Sequence, residues 1–136
     1  MIQIIMGLKG SGKTKRLIDS INTAAKEAKG DVVCIEYDKK LTFDIHYRVR
    51  LVDSKEYGIT DVAMLKGLIC GLHAGNYDIT NVYIDNLYKT IGSDRKTAEE
   101  FALWCADFGK ANNMNFTITV SDDPALAAES IKRYLV

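Results

Sequence analysis

The 136-residue chain lacks several features that mark particular classes of protein. It contains one proline and no proline- and glycine-rich stretch that would mark a linker, which favours a single domain over residues 1–136. Its longest apolar runs are too short to span a membrane. Its 18 basic residues balance 18 acidic residues, so nucleic acid is not indicated as a partner, because such domains usually carry a basic excess.

Cysteines are few and lack the spacing of a metal or redox site. Cys34, Cys70 and Cys105 are far apart, include no Cys-x-x-Cys pair and lie in apolar sequence, which predicts reduced thiols in the core. The apolar stretch at residues 1–6 is too short for a signal peptide. These observations together predict a cytoplasmic protein without a membrane partner.

The chain does have a short glycine-rich stretch near its start. Residues 7–14 read GLKGSGKT, which matches the phosphate-binding pattern G-x-x-x-x-G-K-[ST]. Glycines let consecutive backbone N–H groups turn towards an anion, and the lysine adds a full positive charge. The apolar run before the loop and the amphipathic pattern after it predict the strand and helix that this motif requires. The residues predicted to bind phosphate are Gly7, Leu8, Lys9, Gly10, Ser11, Gly12, Lys13, Thr14 and Lys15.

Strand patterns and amphipathic helix patterns alternate along the rest of the chain. The predicted strands are 2–6, 31–36, 48–52, 81–86 and 116–121. This alternation predicts an α/β fold, a three-layer α/β/α sandwich with a mostly parallel five-stranded sheet. Ligands of such sheets bind at the carboxyl ends of the strands, where the loop, Glu36, Asp85 and Ser121 are expected.

Polar residues mark the predicted helix ends. Asp61 precedes one helix, and Thr97 with Glu100 has the pattern of a capping box before another. Asp123 followed by Pro124 predicts the start of a final helix that carries apolar residues as far as position 135.

A magnesium ion bound to a nucleoside triphosphate takes only one or two protein oxygens. Thr14 would supply one, and Asp85, after the apolar residues 82–84, would supply the second. With these residues the chain resembles the P-loop NTPase superfamily, because residues 7–14 look like its Walker A motif and residues 82–85 like its Walker B motif. The resemblance implies the P-loop NTPase fold, ATP and Mg²⁺ as cofactors, Thr14 and Asp85 as metal ligands, and Lys13 and Asp85 as catalytic residues.

The resemblance leaves the catalytic base open. Many members place a glutamate directly after the Walker B aspartate, but this chain has Asn86 there. RecA-like members can carry it at the end of the second strand, where Glu36 stands, and Asp38 is the next candidate. Related enzymes place a polar sensor for the terminal phosphate where Ser121 and Thr119 lie.

Charged and aromatic residues elsewhere leave further roles open. Arg48, Arg50 and Arg95 are candidate arginine fingers, although each also fits an ordinary surface position. His46 and His73 are isolated and are predicted to be structural. No N-K-x-D guanine motif is present, so ATP is preferred to GTP as the nucleotide.

Two groups within the superfamily are similar to this chain. Small stand-alone bacterial ATP-binding proteins, some labelled after twitching-motility ATPases, share its length and its early GxKGSGKT motif. The thymidine-kinase type shares the loop and the acid-ended second strand, but its zinc-binding cysteine cluster has no counterpart here. A RecA-like core would place strand 116–120 between strands 2–6 and 82–85, whereas a core of the kinase type would make 2–6 and 82–85 neighbours. We favour the first order.

Three functions therefore stay open. The first is an ATP-binding protein with weak or partner-dependent, Mg²⁺-dependent ATPase activity. The second is a small-molecule kinase in which Glu36 or Asp38 is the base and residues 37–47 form a lid. The third is a switch or structural binder that holds nucleotide without turnover. The first strand would lie at a sheet edge, which predicts self-association there, and a protein partner also remains open.

Overall fold

The apolar strand patterns form a five-stranded sheet in the computed structural model, which describes residues 1–136. The strands are β1 (Ile2–Gly7), β2 (Asp31–Glu36), β3 (Arg50–Asp53), β4 (Ile79–Ile84) and β5 (Asn115–Ser121). All neighbouring strands are parallel, and their order across the sheet is β1-β5-β4-β2-β3. The α/β prediction is confirmed, and β5 lies between β1 and β4 as expected.

Helices cover both faces of this sheet and complete a three-layer fold. They are α1 (Lys13–Glu27), α2 (Val62–Gly75), α3 (Leu87–Ile91), α4 (Arg95–Asn112) and α5 (Glu129–Lys132). Alternate residues of β2 point to opposite faces: Val32 and Cys34 pack with Leu17 of α1, whereas Val33 and Ile35 join the larger core under α2 and α4. None of the helices has both the length and the apolar character that crossing a membrane would require.

The strand predicted over 48–52 is present but begins two residues later than expected. β3 begins at Arg50, and residues 37–49 are turns and irregular backbone. Leu41, Ile45 and Val49, spaced four residues apart, pack into the core on the α1 side. Phe43 is fully exposed. Burial of those three side chains therefore determines the path of the segment before β3.

The helix-start predictions had different outcomes. Asp61 caps α2 as predicted, since its carboxylate accepts the Met64 N–H at 2.8 Å. The capping box for α4 is wrong because Asp94 caps that helix and Thr97 lies inside its first turn. The Thr97 hydroxyl donates to the Asp94 carboxylate at 2.6 Å rather than pairing with Glu100.

The predicted long final helix is also wrong. Asp123 caps only a 3-10 turn, Pro124–Leu126, and α5 contains four residues. Residues 134–136 then run along β1, where the Ile4 N–H donates to the Tyr134 carbonyl at 2.8 Å and the Val136 N–H donates to the Ile4 carbonyl at 3.0 Å. This pairing covers the middle of the β1 edge, so the reason for predicting self-association there no longer holds.

The cysteine prediction is right for two residues and wrong for the third. Cys34 and Cys105 are buried, and burial raises the pKa of both thiols. Cys70 is exposed on α2, although its neighbours in sequence are apolar. The difference arises because Cys70 follows the buried Ile69 and lies on the outer side of the helix.

Candidate functional site

The loop between β1 and α1 has the backbone that its glycines predict. Gly10 and Gly12 have φ of +85° and +86°, in the left-handed region that favours glycine. Gly7 is buried, and a Cβ at this position would overlap the Ser11 side chain. The Ser11 N–H donates to the Leu8 carbonyl at 3.1 Å, which closes the turn. The spacing of the three glycines is thus required by the path of the loop.

Lys13 and Thr14, the first two residues of α1, lie at the mouth of the loop. The Lys13 ammonium donates to the Leu8 carbonyl at 3.2 Å, which holds this charge across the loop. The Thr14 hydroxyl makes no hydrogen bond within the protein, so it is available to a ligand.

A cavity of about 430 Å³ opens beside this loop, and no hydrophobic side chain lines it. Its lining residues are Lys9, Gly10, Gly12, Lys13, Thr14, Asp85, Asn86, Thr119 and Ser121. The structure therefore brings together five predicted phosphate-binding residues, the predicted metal ligands and both predicted sensor positions. Gly7, Leu8, Ser11 and Lys15 do not line the cavity, although the first three belong to the loop itself.

Asp85 is held in place by β5. Thr119 is a buried residue whose hydroxyl donates to Asp85 Oδ1 at 2.9 Å and accepts the Asn86 N–H at 2.7 Å. The Asp85 N–H donates to the Ile35 carbonyl of β2 at 2.9 Å. These contacts fix the carboxyl group and leave its second oxygen without a partner in the protein. Ser121 has no side-chain hydrogen bond, so its hydroxyl is the freer of the two sensor candidates.

Glu36 lies at the end of β2 but does not line the loop cavity. It is 2% exposed, and its carboxylate accepts the Leu41 N–H at 3.2 Å. Burial raises the pKa of Glu36 to about 7, with further contributions from the negative charges of Asp85 and Asp53. It lines a separate cavity of about 290 Å³ near the end of β3. Asp38, the runner-up base, also lies outside the loop cavity.

None of the three candidate arginine fingers lines the loop cavity. Arg95 binds the Asp122 carboxylate with two nitrogens, at 2.7 and 2.9 Å, and holds the pKa of Asp122 well below its usual range. The Tyr88 hydroxyl donates to the same carboxylate at 2.7 Å. Arg50 begins β3 and lines the Glu36 cavity, and Arg48 is exposed on the irregular segment before it.

The two histidines have structural contacts, as their isolation in sequence predicted. His46 Nδ1 accepts the Arg48 N–H at 3.1 Å, and its ring stacks on Tyr47. His73 packs between Tyr77 and Phe108.

Two lysines near the site were missed by sequence reasoning. Lys40 follows β2 and Lys89 lies on α3, which follows β4. Contact with Lys40 lowers the pKa of Lys89, Lys9 lowers it further, and Asp85 raises it. Neither lysine lines the loop cavity. No local pattern could have found them, because the segments that carry them come together only through the pairing of β2 with β4.

No protein-family model matches the chain, and no curated protein is significantly similar to it. What the chain does must therefore be inferred from the geometry of its own residues.

Proposed function

We propose that the chain binds a magnesium–nucleoside triphosphate, with ATP as the first candidate, and hydrolyses it weakly unless a partner assists. One observation carries the proposal. Lys13 and Thr14 at the start of α1, together with Asp85 and Ser121 from the ends of β4 and β5, line one polar cavity beside a loop with left-handed glycines.

The charge at the start of α1 supports an anionic ligand. The first turn contains Lys13, Lys15 and Arg16 and no acidic residue. The amino end of a helix carries a partial positive charge, so cations there are unfavourable unless an anion compensates them. The phosphates of a nucleotide would supply that compensation and would accept the N–H groups of the loop.

The oxygen ligands in the cavity fit magnesium. The Thr14 hydroxyl and the second carboxylate oxygen of Asp85 are both free of protein partners, and Thr119 keeps Asp85 oriented. No group of three or more His, Cys, Asp or Glu side chains converges anywhere in the molecule. Two protein oxygens suit an ion that takes its other ligands from phosphate and water. When bound, Mg²⁺ would neutralise developing charge on the phosphates.

The expectation of weak hydrolysis follows from the absence of a suitable base at the cavity. Asp85 is its only lining carboxylate, and its proposed role is to bind the metal. Glu36 is hydrogen-bonded to the Leu41 N–H and faces another cavity. The candidate arginines are also elsewhere. Nothing in the chain alone is thus positioned to activate a water molecule or to supply a finger.

The second cavity favours phosphoryl transfer as an alternative function. Glu36 lines it together with Thr42 and Tyr57, and a pKa of about 7 suits a base that works near neutral pH. A small molecule with a hydroxyl group bound there would make the protein a kinase. A binder without turnover is the third function, and the missing base is compatible with it. An ATP-dependent role and three unpaired cysteines both fit a cytoplasmic location.

The test is nucleotide binding and phosphate release by the wild type, Lys13→Ala and Lys26→Ala. Lys26 is an exposed residue in the last turn of α1 and is the matched control. We expect Lys13→Ala to weaken Mg²⁺–ATP binding by a factor of about ten or more, because it removes a full charge at the phosphates, and Lys26→Ala to leave it unchanged. Circular dichroism checks that both variants fold.

Unchanged affinity in folded Lys13→Ala would contradict the proposal. Phosphate release that is lost in this variant would establish an ATPase. Binding without release would leave the kinase and the binder, which differ in whether added hydroxyl compounds become phosphorylated.

A further inference from the structure

The end of β5 is held by a cluster of side chains from three elements. The Asp122 carboxylate accepts two hydrogen bonds from Arg95 of α4, at 2.7 and 2.9 Å, and one from the Tyr88 hydroxyl of α3, at 2.7 Å. It also accepts the Asp123 N–H at 2.8 Å. These four hydrogen bonds fix the position of the carboxylate, because any movement of the group would break several of them together.

This cluster lies next to the residue through which β5 reaches the loop cavity. Ser121, directly before Asp122, lines the cavity and pairs with Gly7, the first residue of the glycine loop. The Asp122 N–H donates to the Val120 carbonyl at 3.0 Å, so the chain makes a tight turn centred on Ser121. A displacement of Asp122 would therefore move Ser121 as well, because no residue lies between them to absorb it.

The same cluster joins β5 to the segment that follows β4. Tyr88 stands three residues after Asp85, and the chain between them turns at Asn86, whose φ is +52°. This left-handed conformation is uncommon for residues other than glycine, although Asn adopts it more readily than most. The turn is held at Asn86, whose N–H donates to the Thr119 hydroxyl, and again at Tyr88, whose hydroxyl donates to Asp122. The two strands are thus joined beyond the end of their backbone pairing.

We propose that Asp122, Tyr88 and Arg95 are positioning residues, which hold the Ser121 hydroxyl where it can donate to a phosphate of the bound nucleotide. This inference rests on the proposed nucleotide binding. Ser121 suits the contact because its hydroxyl has no partner in the protein and shares the cavity with Lys13. The three positioning residues act through Ser121 rather than on the ligand, since none of them lines the cavity.

The test is a double-mutant cycle on the binding of a non-hydrolysable Mg²⁺–ATP analogue. We expect Ser121→Ala to weaken binding by a factor of about ten, because it removes a hydrogen bond to a charged group. Asp122→Asn should weaken binding by about fivefold in the wild type, but by less than about twofold in the Ser121→Ala chain. Loss of a negative charge alone would instead strengthen the binding of an anion.

The matched control is Asp123→Asn, which makes the same chemical change at the next residue. It should bind as the wild type does, because Asn can still accept the Ala125 N–H and this side chain is not part of the cluster. Tyr88→Phe repeats the cycle without any change of charge. It removes one of the four hydrogen bonds, so it should weaken binding by a smaller factor of about three, and again only where Ser121 is present.

Three results would overturn the inference while nucleotide binding stands. These are undiminished affinity in Ser121→Ala, undiminished affinity in Asp122→Asn, and an equal loss from Asp122→Asn with and without Ser121. The third would show that the cluster supports the fold generally rather than through Ser121. If thermal unfolding shows that Asp122→Asn does not fold, the Tyr88→Phe cycle decides by the same criteria. If the wild type does not bind the analogue, the proposed function fails, and this inference fails with it.

Discussion

At the scale of single residues, Glu36 is a carboxyl group that the fold removes almost completely from water. It lies at the end of β2, almost fully buried, with one backbone donor and with Asp85 and Asp53 nearby. Its pKa of about 7 means that the folded protein holds the proton more tightly than the unfolded chain does. The stabilisation that protonated Glu36 contributes is fully present below the pKa that Glu36 has in the unfolded chain. It is lost as the pH rises through about 7, the pKa of Glu36 in the folded protein.

Replacing Glu36 by Gln should therefore stabilise the protein at high pH. We expect Glu36→Gln to raise the free energy of unfolding by about 2 kcal/mol at pH 8, because Gln can accept the Leu41 N–H and carries no charge to bury. The gain should shrink as pH falls towards 4.5. Urea unfolding at several pH values measures it.

Glu56→Gln is the matched control, because Glu56 is an exposed carboxylate whose ion pair with Lys39 is worth little. A gain at Glu36 that is the same at pH 5 and pH 8 would show that ionisation is not its cause.

At the scale of elements, the success of prediction depended on how local the signal is. The strand, loop and helix over residues 2–27 follow from an apolar run, a fixed glycine spacing and one amphipathic stripe, all within a short segment. The prediction that Glu36 and Asp85 stand at the ends of strands also came from short sequence patterns. That Glu36 faces a different cavity depends on the path of residues 37–49, which is set by three side chains packing against α1.

Two elements show where local patterns fail. The apolar residues near the end of the chain suggested a helix, but Tyr134 and Leu135 pack against the larger core while their backbone runs along β1. The start of α4 was misplaced because both Asp94 and Thr97 suit a cap, and only the geometry of the turn selects Asp94. The capping propensities of the two residue types therefore cannot decide which of them begins the helix.

The cap of α4 gives a prediction at this scale. Asp94→Ala should lower the free energy of unfolding, because it leaves the Lys96 N–H and the Thr97 hydroxyl without their acceptor. Chemical denaturation measures the change. Ser93→Ala, an exposed neighbour with no side-chain hydrogen bond, should have little effect. A comparable loss in both variants would mean that the cap is not the cause.

At the scale of the whole molecule, residues 134–136 cover the edge of the sheet that β1 forms. Without them, the backbone groups of Ile4 that face away from β5 would have no partner. An unpaired edge strand is a surface on which a second chain can add.

Deleting residues 134–136 should therefore have two effects. Stability should fall by about 1 to 3 kcal/mol, because two backbone hydrogen bonds and the packing of Tyr134 and Leu135 are lost. Concentration-dependent self-association should appear in sedimentation experiments. Val136→Ala keeps the backbone bond to Ile4 and is the control, so association in this variant too would argue against the edge as its cause.

The sheet order also has a consequence for how the protein is made. β1 pairs with no strand except β5, and Ile2 lies opposite Phe116. The strand that leads into the glycine loop is therefore translated before the other four strands, but its partner is the last of them. A nascent chain that has grown past β4 carries the whole loop and Asp85, yet lacks Thr119, which orients that carboxylate. The proposed nucleotide binding should therefore arise only late in synthesis, when it would stabilise nearly finished chains.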